Sequence, residues 1–366
     1  MVLRIKSNFQ VKIKKPYRNK FLIFFFIFPF LVTPACKKMD HSKFKMPKMP
    51  FITAENLHSV VTPGEKAIRI FGDYGIAYSS SDNGKTWEKQ DTKTENHLFH
   101  ACFIDIQRGW ACGTLGTILY TSDGGKTWEK QKSGTDKHLF SIHLSDCKNG
   151  CAVGDMGTVI VTTDGGNTWV PTMKEEDVGY NDVFFSDLKN GWIVGEFGTI
   201  LHTTDGGKTW KPQTCKDIEP LVESGDLWSM PKPTLYSVSF KDNKRGWIAG
   251  IEGVLLSTED GGLKWKKIPS DTKFSIFSLQ INGEKGWAVG AEGNYLITTD
   301  GGKKWNKKDD VIKVRFWLQG LSFRTDRDGF VVGSRGTVVH TTDGGETWKM
   351  LSGISYEMPE FKMPEF

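Results

Sequence analysis

A seven-residue segment recurs seven times in this chain and sets the architecture that it can adopt. Residues 122–128 read Ser-Asp-Gly-Gly-Lys-Thr-Trp, and close variants begin at residues 81, 163, 204, 259, 299 and 342. The tryptophans that close these segments lie 41, 41, 41, 55, 40 and 43 residues apart. Self-similarity at a period in the low forties predicts that one supersecondary unit is repeated seven times.

A second motif keeps the same period. Residues 109–116 read Gly-Trp-Ala-Cys-Gly-Thr-Leu-Gly, and this pattern returns at 150–157, 191–198, 246–253, 286–293 and 329–336, with a degenerate first copy at 68–75. Each unit contains four short β-rich runs; in the third unit they cover 139–144, 151–154, 158–163 and 168–172. Such runs between glycine turns predict an all-β fold, a seven-bladed β-propeller of four-stranded antiparallel blades over residues 56–352.

We call each seven-residue segment an Asp turn and expect a structural role for it. Glycine adopts a positive φ at low steric cost, and the aspartate can accept backbone N–H bonds within the loop. The tryptophan would then be buried between neighbouring sheets. The structural residues predicted in this way are Asp82, Asp123, Asp164, Asp205, Asp260, Asp300, Asp343, Trp87, Trp128, Trp169, Trp210, Trp265, Trp305 and Trp348.

The Asp turns are similar to the Asp-box, or BNR repeat. Together with Gly-Trp-x-x-Gly-x-x-Gly, they resemble the photosystem II assembly and stability factor family over about residues 56–352. That resemblance implies a propeller and a protein-binding function as an assembly factor. Its cyanobacterial members are exported lipoproteins.

The first 35 residues have the features of an export signal. Basic residues precede a mostly apolar run at 21–32, which is too short for a membrane span but suits a signal peptide. A small residue then precedes Cys36, as in a lipobox, although Thr33 stands where leucine is usual. We therefore expect lipidation of Cys36 and anchoring to a membrane, on the periplasmic side or at the cell surface. The alternatives are an ordinary signal peptide that is cut nearby and an uncleaved anchor.

The flanks of the propeller contain prolines and predict extended segments. Residues 36–55 would form a flexible spacer, and 353–366, which contain Met-Pro-Glu-Phe twice, a tail. The 55-residue interval marks an insertion at 211–234 between the fourth and fifth blades. Long loops of this kind are often functional, and Trp228 makes this one a candidate for binding.

The charge distribution argues against a nucleic-acid partner. Seven basic residues lie before residue 36 without an acid, so the net charge of +5 becomes −2 for the remainder. A near-neutral body has little attraction for phosphates. The five cysteines after Cys36 are an odd number, their pairing is open, and their spacing predicts no zinc site. We expect no cofactor and a monomer.

The two variable residues of each Gly-x-x-Gly turn should gather on one rim, on the face opposite the Asp turns. Apolar side chains come from four consecutive blades, and acids accompany them; a group of this kind indicates a protein-binding surface. The alternative is that each of these side chains only packs over its own blade and binds no partner. The predicted rim consists of Tyr74, Leu115, Met156, Phe197, Glu196, Glu252 and Glu292, with Trp228 from the insertion.

Polar residues of the innermost strands form a second candidate. A period of two aligns His58, His100, Ser141, Asp182, Ser237, Ser278 and Gly320 along the channel, with His143 in the next column. The histidines and Asp182 would then be able to hold a metal or an anion, although hydrated channel walls are the commoner outcome.

Catalysis is not expected. A sialidase needs three converging arginines, whereas Arg108, Arg245 and Arg327 lie in turns on the Asp-turn side. A glycosidase needs two opposed carboxylates, and no pair stands out. The function predicted is therefore non-catalytic binding of a protein, as an assembly or stability factor for a membrane-associated complex. The alternatives are a carbohydrate-binding surface protein and a sialidase-like glycosidase.

Overall fold

Seven four-stranded antiparallel sheets follow one another along the chain, as the repeats predict. The computed structural model describes residues 53–219 and 232–353. The signal peptide with Cys36, most of the spacer, Trp228 and the Met-Pro-Glu-Phe tail lie outside the described residues. The fold class, a seven-bladed β-propeller with four strands in each blade, is confirmed.

Each blade consists of four consecutive strands, numbered here from the innermost outwards. The first three blades are β1 Leu57–Val61, β2 Ile68–Gly72, β3 Ala77–Ser80 and β4 Glu88–Lys89; β5 Leu98–Phe103, β6 Gly109–Gly113, β7 Ile118–Thr121 and β8 Glu129–Gln131; β9 Leu139–Leu144, β10 Gly150–Gly154, β11 Val159–Thr162 and β12 Val170–Pro171.

The remaining four blades have the same order. They are β13 Tyr180–Phe185, β14 Gly191–Gly195, β15 Ile200–Thr203 and β16 Lys211–Gln213; β17 Leu235–Phe240, β18 Gly246–Gly250, β19 Leu255–Thr258 and β20 Lys266–Lys267; β21 Ile276–Asn282, β22 Lys285–Gly290, β23 Tyr295–Thr298 and β24 Asn306–Lys307; β25 Leu318–Phe323, β26 Gly329–Gly333, β27 Thr337–Thr341 and β28 Lys349–Ser352.

Helical structure in the described residues is limited to short 3₁₀ turns, at Asp73–Gly75, Glu196–Gly198, Lys216–Ile218, Ile251–Gly253 and Ala291–Gly293. None of these described helices has the length and apolar character to cross a membrane. The first three residues of the expected insertion, Lys211–Gln213, are not part of a loop: they pair with β15 as the outer strand of blade 4.

The ring closes by contact between the first and last blades, without a strand exchanged between them. Leu57 and Ile70 of blade 1 pack in one core cluster with Phe330 and Val338 of blade 7. The hydroxyls of Thr62 and Ser322 lie 2.8 Å apart across the same junction. Apolar clusters of this kind fill the space between neighbouring blades around the ring.

Candidate functional site

The Asp turns are held by hydrogen bonds within each loop. In the second blade, Asp123 Oδ1 accepts the N–H of Thr127 at 2.9 Å, and Oδ2 accepts the Thr127 hydroxyl at 2.6 Å. The hydroxyl of Thr121 also donates to Oδ1 at 2.9 Å. The side-chain bond from Thr127, only partly opposed by desolvation, lowers the pKa of Asp123 to about 2. These oxygens are engaged inside the loop, which fits a structural role better than an acid–base one.

The side chains of the Asp-turn tryptophans are wholly or partly buried in the propeller. Trp128, Trp169, Trp265 and Trp305 are buried, and the other three are half-buried. A second set of tryptophans, in the second strands, joins neighbouring blades. Their indole N–H groups donate to a glycine carbonyl in the Asp turn of the next blade, in the pairs Trp110–Gly165, Trp192–Gly261, Trp247–Gly302 and Trp287–Gly344, at 2.8–3.2 Å.

The Gly-x-x-Gly turns all have one backbone geometry. In the first blade the N–H of Ile76 donates to Asp73 O at 3.0 Å. Tyr74 has φ 54° and ψ 38°, and Gly75 has φ 68°. Positive φ at both central residues is the type I′ turn of a hairpin, which favours Asn-Gly. The first central residue is instead Tyr74, Leu115, Met156, Phe197, Glu252, Glu292 or Arg335, each with φ between 53° and 56°.

This geometry exposes large apolar side chains at the predicted rim. Tyr74 and Leu115 each have 60% of their surface exposed and Phe197 has 56%, whereas Met156 is half-buried. An apolar, bulky residue is sterically unfavourable in the left-handed region and gains nothing from exposure. Neither the turn nor the core therefore explains these residues.

The acidic rim residues differ in the exposure and hydrogen bonding of their side chains. Glu252 and Glu292 are exposed. Glu196 turns inward, and its Oε2 accepts the N–H of Gly179 at 2.8 Å. The described end of the insertion lies at the same face, because the N–H of Gly198 donates to Pro233 O at 2.8 Å.

Sequence reasoning missed two exposed aromatic residues on this face. Trp317 (57% exposed) and Phe274 (44% exposed) lie in the connections that lead into blades 7 and 6. We call the end of the ring that carries the Gly-x-x-Gly turns and these connections the rim face. The sequence signal that was available is an aromatic residue one or two positions before the innermost strand of a blade.

A ring of half-buried residues lines the channel mouth at the rim face. It consists of the second residue of each innermost strand, and we call it the collar: His58, Phe99, Phe140, Asn181, Tyr236, Phe277 and Gln319.

Aromatic contacts connect the collar with the exposed rim. On one side the ring centroids of Tyr74 and His97 are 4.9 Å apart, those of His97 and Phe99 6.3 Å, and those of Phe99 and Phe140 5.8 Å. On the other side Phe277 lies 5.3 Å from Tyr236 and 6.3 Å from Trp317. We call these two series of ring contacts the aromatic tracks; each leads from an exposed aromatic residue of the rim face, Tyr74 or Trp317, to residues of the collar.

The predicted channel column is wrong at its first member. Leu57 pairs with Gly72 as Leu98 pairs with Gly113, so Ser59, not His58, corresponds to His100. His58 is the second residue of its strand, as Phe99 is of the innermost strand of blade 2, and it therefore belongs to the collar.

The corrected column links the blades to one another. Its side chains accept a backbone N–H from the innermost strand of the next blade, in the pairs Ser59–Ala101, His100–Ile142, Ser141–Val183, Asp182–Val238 and Ser237–Leu279, at 2.9–3.4 Å. The hydroxyl of Ser141 also donates to Asp182 at 2.7 Å. Burial raises the pKa of Asp182 and lowers that of His143 to about 4. These contacts account for the column without a metal.

The five described cysteines form no disulfide with one another. Cys147 is exposed whereas Cys151 is buried, so the local bridge that their spacing allowed does not form. Burial raises the pKa of the Cys102 thiol to about 11, which keeps it protonated.

Solved propellers resemble this fold closely. "YCF48 bound to D1 peptide" has a TM-score of 0.65 at 19% identity, covering 80% of this chain and 95% of that one. YCF48 from Cyanidioschyzon merolae has a TM-score of 0.63 at 19% identity, covering 80% and 97%. A GH74 xyloglucanase from Xanthomonas campestris has a TM-score of 0.65 at 12% identity, but this chain spans only 56% of its length. At these identities the likeness concerns the fold alone.

No curated protein sequence matches the chain significantly. A profile of the family described as "Photosynthesis system II assembly factor YCF48" matches residues 79–169, 126–221 and 223–313. These matches cover more than half of the chain, and the chain therefore belongs to the photosynthesis system II assembly factor YCF48 family.

Proposed function

We propose that this propeller binds a segment of another protein on its rim face and serves, without catalysis, as an assembly or stability factor for a membrane-associated complex. The chain would act as a monomer. Membership of the YCF48 family supports the protein-binding part, and the related propeller solved with a D1 peptide offers a precedent for a polypeptide ligand.

One observation carries the proposal: apolar side chains occupy left-handed turn positions where they are exposed. Tyr74, Leu115 and Phe197 each take the place that asparagine favours in a type I′ turn. Left-handed backbone costs a non-glycine residue about 1–2 kcal/mol. Strain of this kind is characteristic of binding sites, where a partner gains from the exposed group.

The aromatic tracks suggest the chemistry of the ligand. Exposed Tyr74, Phe197 and Trp317 lie on the same face as the half-buried collar residues Phe99 and Phe277. Exposed aromatic side chains are typical anchors of protein interfaces. The same turn position carries Glu252 and Glu292 in blades 5 and 6 and Arg335 in blade 7, and all three are exposed. The turns therefore favour a segment with apolar side chains and offer both signs of charge beside it.

Asparagine substitutions at the apolar rim residues allow partner binding to be measured separately from the stability of the propeller. In the triple variant Tyr74→Asn, Leu115→Asn and Phe197→Asn, each turn receives its preferred residue, and the free energy of unfolding should rise by about 0.5–1 kcal/mol per site. Affinity capture from detergent-solubilised membranes should at the same time lose the partner that the wild type retains.

A matched control lies on the opposite face. Ile106, Leu188 and Leu263 are 53%, 53% and 82% exposed at the Asp-turn end, and their triple asparagine variant should capture the partner as the wild type does. Loss of capture in the control alone would contradict the proposal. If no form captures a protein while a glycan screen gives binding, the carbohydrate-binding alternative replaces it.

We further propose export and lipid anchoring through Cys36, supported by the basic and apolar residues that precede it. Replacement by Cys36→Ser should move the protein from the membrane fraction to the soluble fraction after cell lysis, because the thiol is the acylation site. Membrane association that survives Cys36→Ser would contradict the anchor.

A further inference from the structure

Two histidines and a carboxylate meet on the rim face where the first blade adjoins the second and the last. His58 Nε2 lies 2.6 Å from Asp73 Oδ1, and His97 Nδ1 lies 2.7 Å from the same oxygen. The three donor atoms all lie within 4.8 Å of one another, and no other group of three such side chains does so in residues 53–219 and 232–353. Neither the rim nor the channel column accounts for this cluster.

The cluster is shielded but open on one side. The side chains of His58 and Asp73 are 12% and 13% exposed, whereas that of His97 is 36% exposed. A ligand set of two imidazoles and one carboxylate suits zinc and related transition metals. Three protein ligands leave a fourth position free for water or for a side chain of a partner.

Outer hydrogen bonds hold two of the three ligands. Asn56 Nδ2 donates to Asp73 Oδ2 at 2.9 Å, which leaves Oδ1 directed at the histidines. Gln319 Oε1, from blade 7, lies 3.1 Å from His58 Nδ1. Metal-binding histidines and carboxylates are usually oriented by partners of this kind.

The two ring nitrogens of His58 face different partners: Nδ1 faces Gln319 Oε1, and Nε2 faces Asp73 Oδ1. A metal ion would therefore bind His58 through Nε2, while Gln319 orients the imidazole from its other side. Zinc–nitrogen bonds of about 2.0–2.1 Å would require donor separations of about 3.3 Å, a modest withdrawal of the carboxylate.

The equivalent position in blade 3 shows that the cluster is not a general property of these turns. Asp155 occupies the same place in its Gly-x-x-Gly turn as Asp73, but Phe140 and Gly179 stand where His58 and His97 do. Its Oδ1 accepts the N–H of Met156 at 2.9 Å instead. Asp155 is therefore a matched control.

We propose that His58, Asp73 and His97 bind a divalent transition-metal ion, of which zinc is the best fit, and so join blade 1 to blade 2 beside the contact with blade 7. This site lies within the rim face, where His97 also contacts Tyr74 with the ring centroids 4.9 Å apart. It differs from the proposed partner-binding residues Tyr74, Leu115 and Phe197, because none of these three is a ligand. A metal here would strengthen the contact between blades 1 and 2, because a ligand that binds only the folded state stabilises it.

The test uses the full chain, treated with a chelator and titrated with zinc or cobalt in a calorimeter. One ion should bind per chain and raise the temperature of unfolding. His97→Gln and Asp73→Asn should each weaken binding at least tenfold, and Gln319→Leu by about 10–100-fold. Asp155→Asn and His138→Gln, the equivalent changes one or two blades on, should leave the affinity unchanged.

X-ray absorption provides the second readout. The spectrum of the zinc-loaded chain should show nitrogen and oxygen ligands with an imidazole signature. No saturable binding of zinc, cobalt or nickel, binding that survives His97→Gln, or sulfur ligands from a site at Cys147 would each overturn the proposal. His97 is a partly exposed residue, so its variant decides the matter if His58→Gln fails to fold. Partner capture by the metal-free chain tests the proposed function separately.

Discussion

The hydroxyl at the sixth position distinguishes five of the Asp turns from the other two. Thr86, Thr127, Thr168, Thr209 and Thr347 each donate this hydroxyl to the aspartate at 2.5–2.7 Å. Lys264 and Lys304 replace threonine in blades 5 and 6, and there only backbone N–H groups and the preceding threonine hydroxyl bond the aspartate. The weakest loops should therefore be those of these two blades.

Threonine at these positions should stabilise the protein. In Lys264→Thr the new hydroxyl can donate to Asp260 Oδ2, and we expect the free energy of unfolding to rise by about 0.5–1 kcal/mol, as for an added hydrogen bond. Urea denaturation of the variant measures the change. The reverse substitution, Thr127→Lys, should lower the free energy by a similar amount; no effect in either direction would contradict the role given to the hydroxyl.

At the scale of the single residue, the roles of the Asp-turn side chains could be predicted from the sequence, whereas the backbone conformation of the rim residues could not. The aspartates and tryptophans of the Asp turns could be named because each is repeated seven times. Their glycine-rich setting also predicted the turns. The left-handed backbone of Tyr74 or Phe197 could not be anticipated, since propensity argues against it. The meeting of His97 with Asp73 was equally hidden, because it joins two blades through a connection outside both motifs.

Among the elements, the second strands connect each blade to the next. Trp287 lies in β22, stacks on Phe323 of blade 7 at 3.6 Å, and donates its N–H to Gly344 O at 2.8 Å. Trp305, in the Asp turn of the same blade, is equally buried, but its indole N–H has no hydrogen-bond partner within the described part of the chain. The two tryptophans allow the inter-blade hydrogen bond to be isolated.

Replacement of Trp287 by phenylalanine should destabilise the protein more than the same change at Trp305. Both variants lose similar volume, but only Trp287→Phe also loses a hydrogen bond and leaves Gly344 O without that donor. The difference should be about 1–2 kcal/mol in the free energy of unfolding. Equal losses in the two variants, measured by chemical denaturation, would show that the hydrogen bond adds nothing to the contact between blades.

Strand prediction succeeded because turn residues and apolar runs alternate throughout the repeats. In the third blade the innermost strand has the predicted bounds 139–144, and the next strand starts one residue earlier than expected. The error at His58 arose because the first repeat is degenerate, so that its innermost strand was aligned one residue out of register with the others. Lys211–Gln213 were assigned to the insertion because the 55-residue interval concealed the outer strand.

For the whole molecule, the ring presents two different ends. The Asp-turn end is rich in internal hydrogen bonds, and its exposed apolar residues Ile106, Leu188 and Leu263 are aliphatic. The rim face exposes Tyr74, Phe197, Phe274 and Trp317. The sequence predicted the rim from the shared position of the turns, while its role in partner binding stays a prediction. Phe274 and Trp317 were missed because they belong to neither motif.

The central claim is that the rim face holds a protein partner in the cell. Photo-crosslinking from benzoylphenylalanine in place of Phe197, with the same group in place of Leu263 as the control on the other face, tests it most directly. We expect a discrete crosslinked polypeptide from position 197 and none from position 263. An identical product from both positions, or no product from position 197 while position 263 gives one, would contradict binding through the rim face.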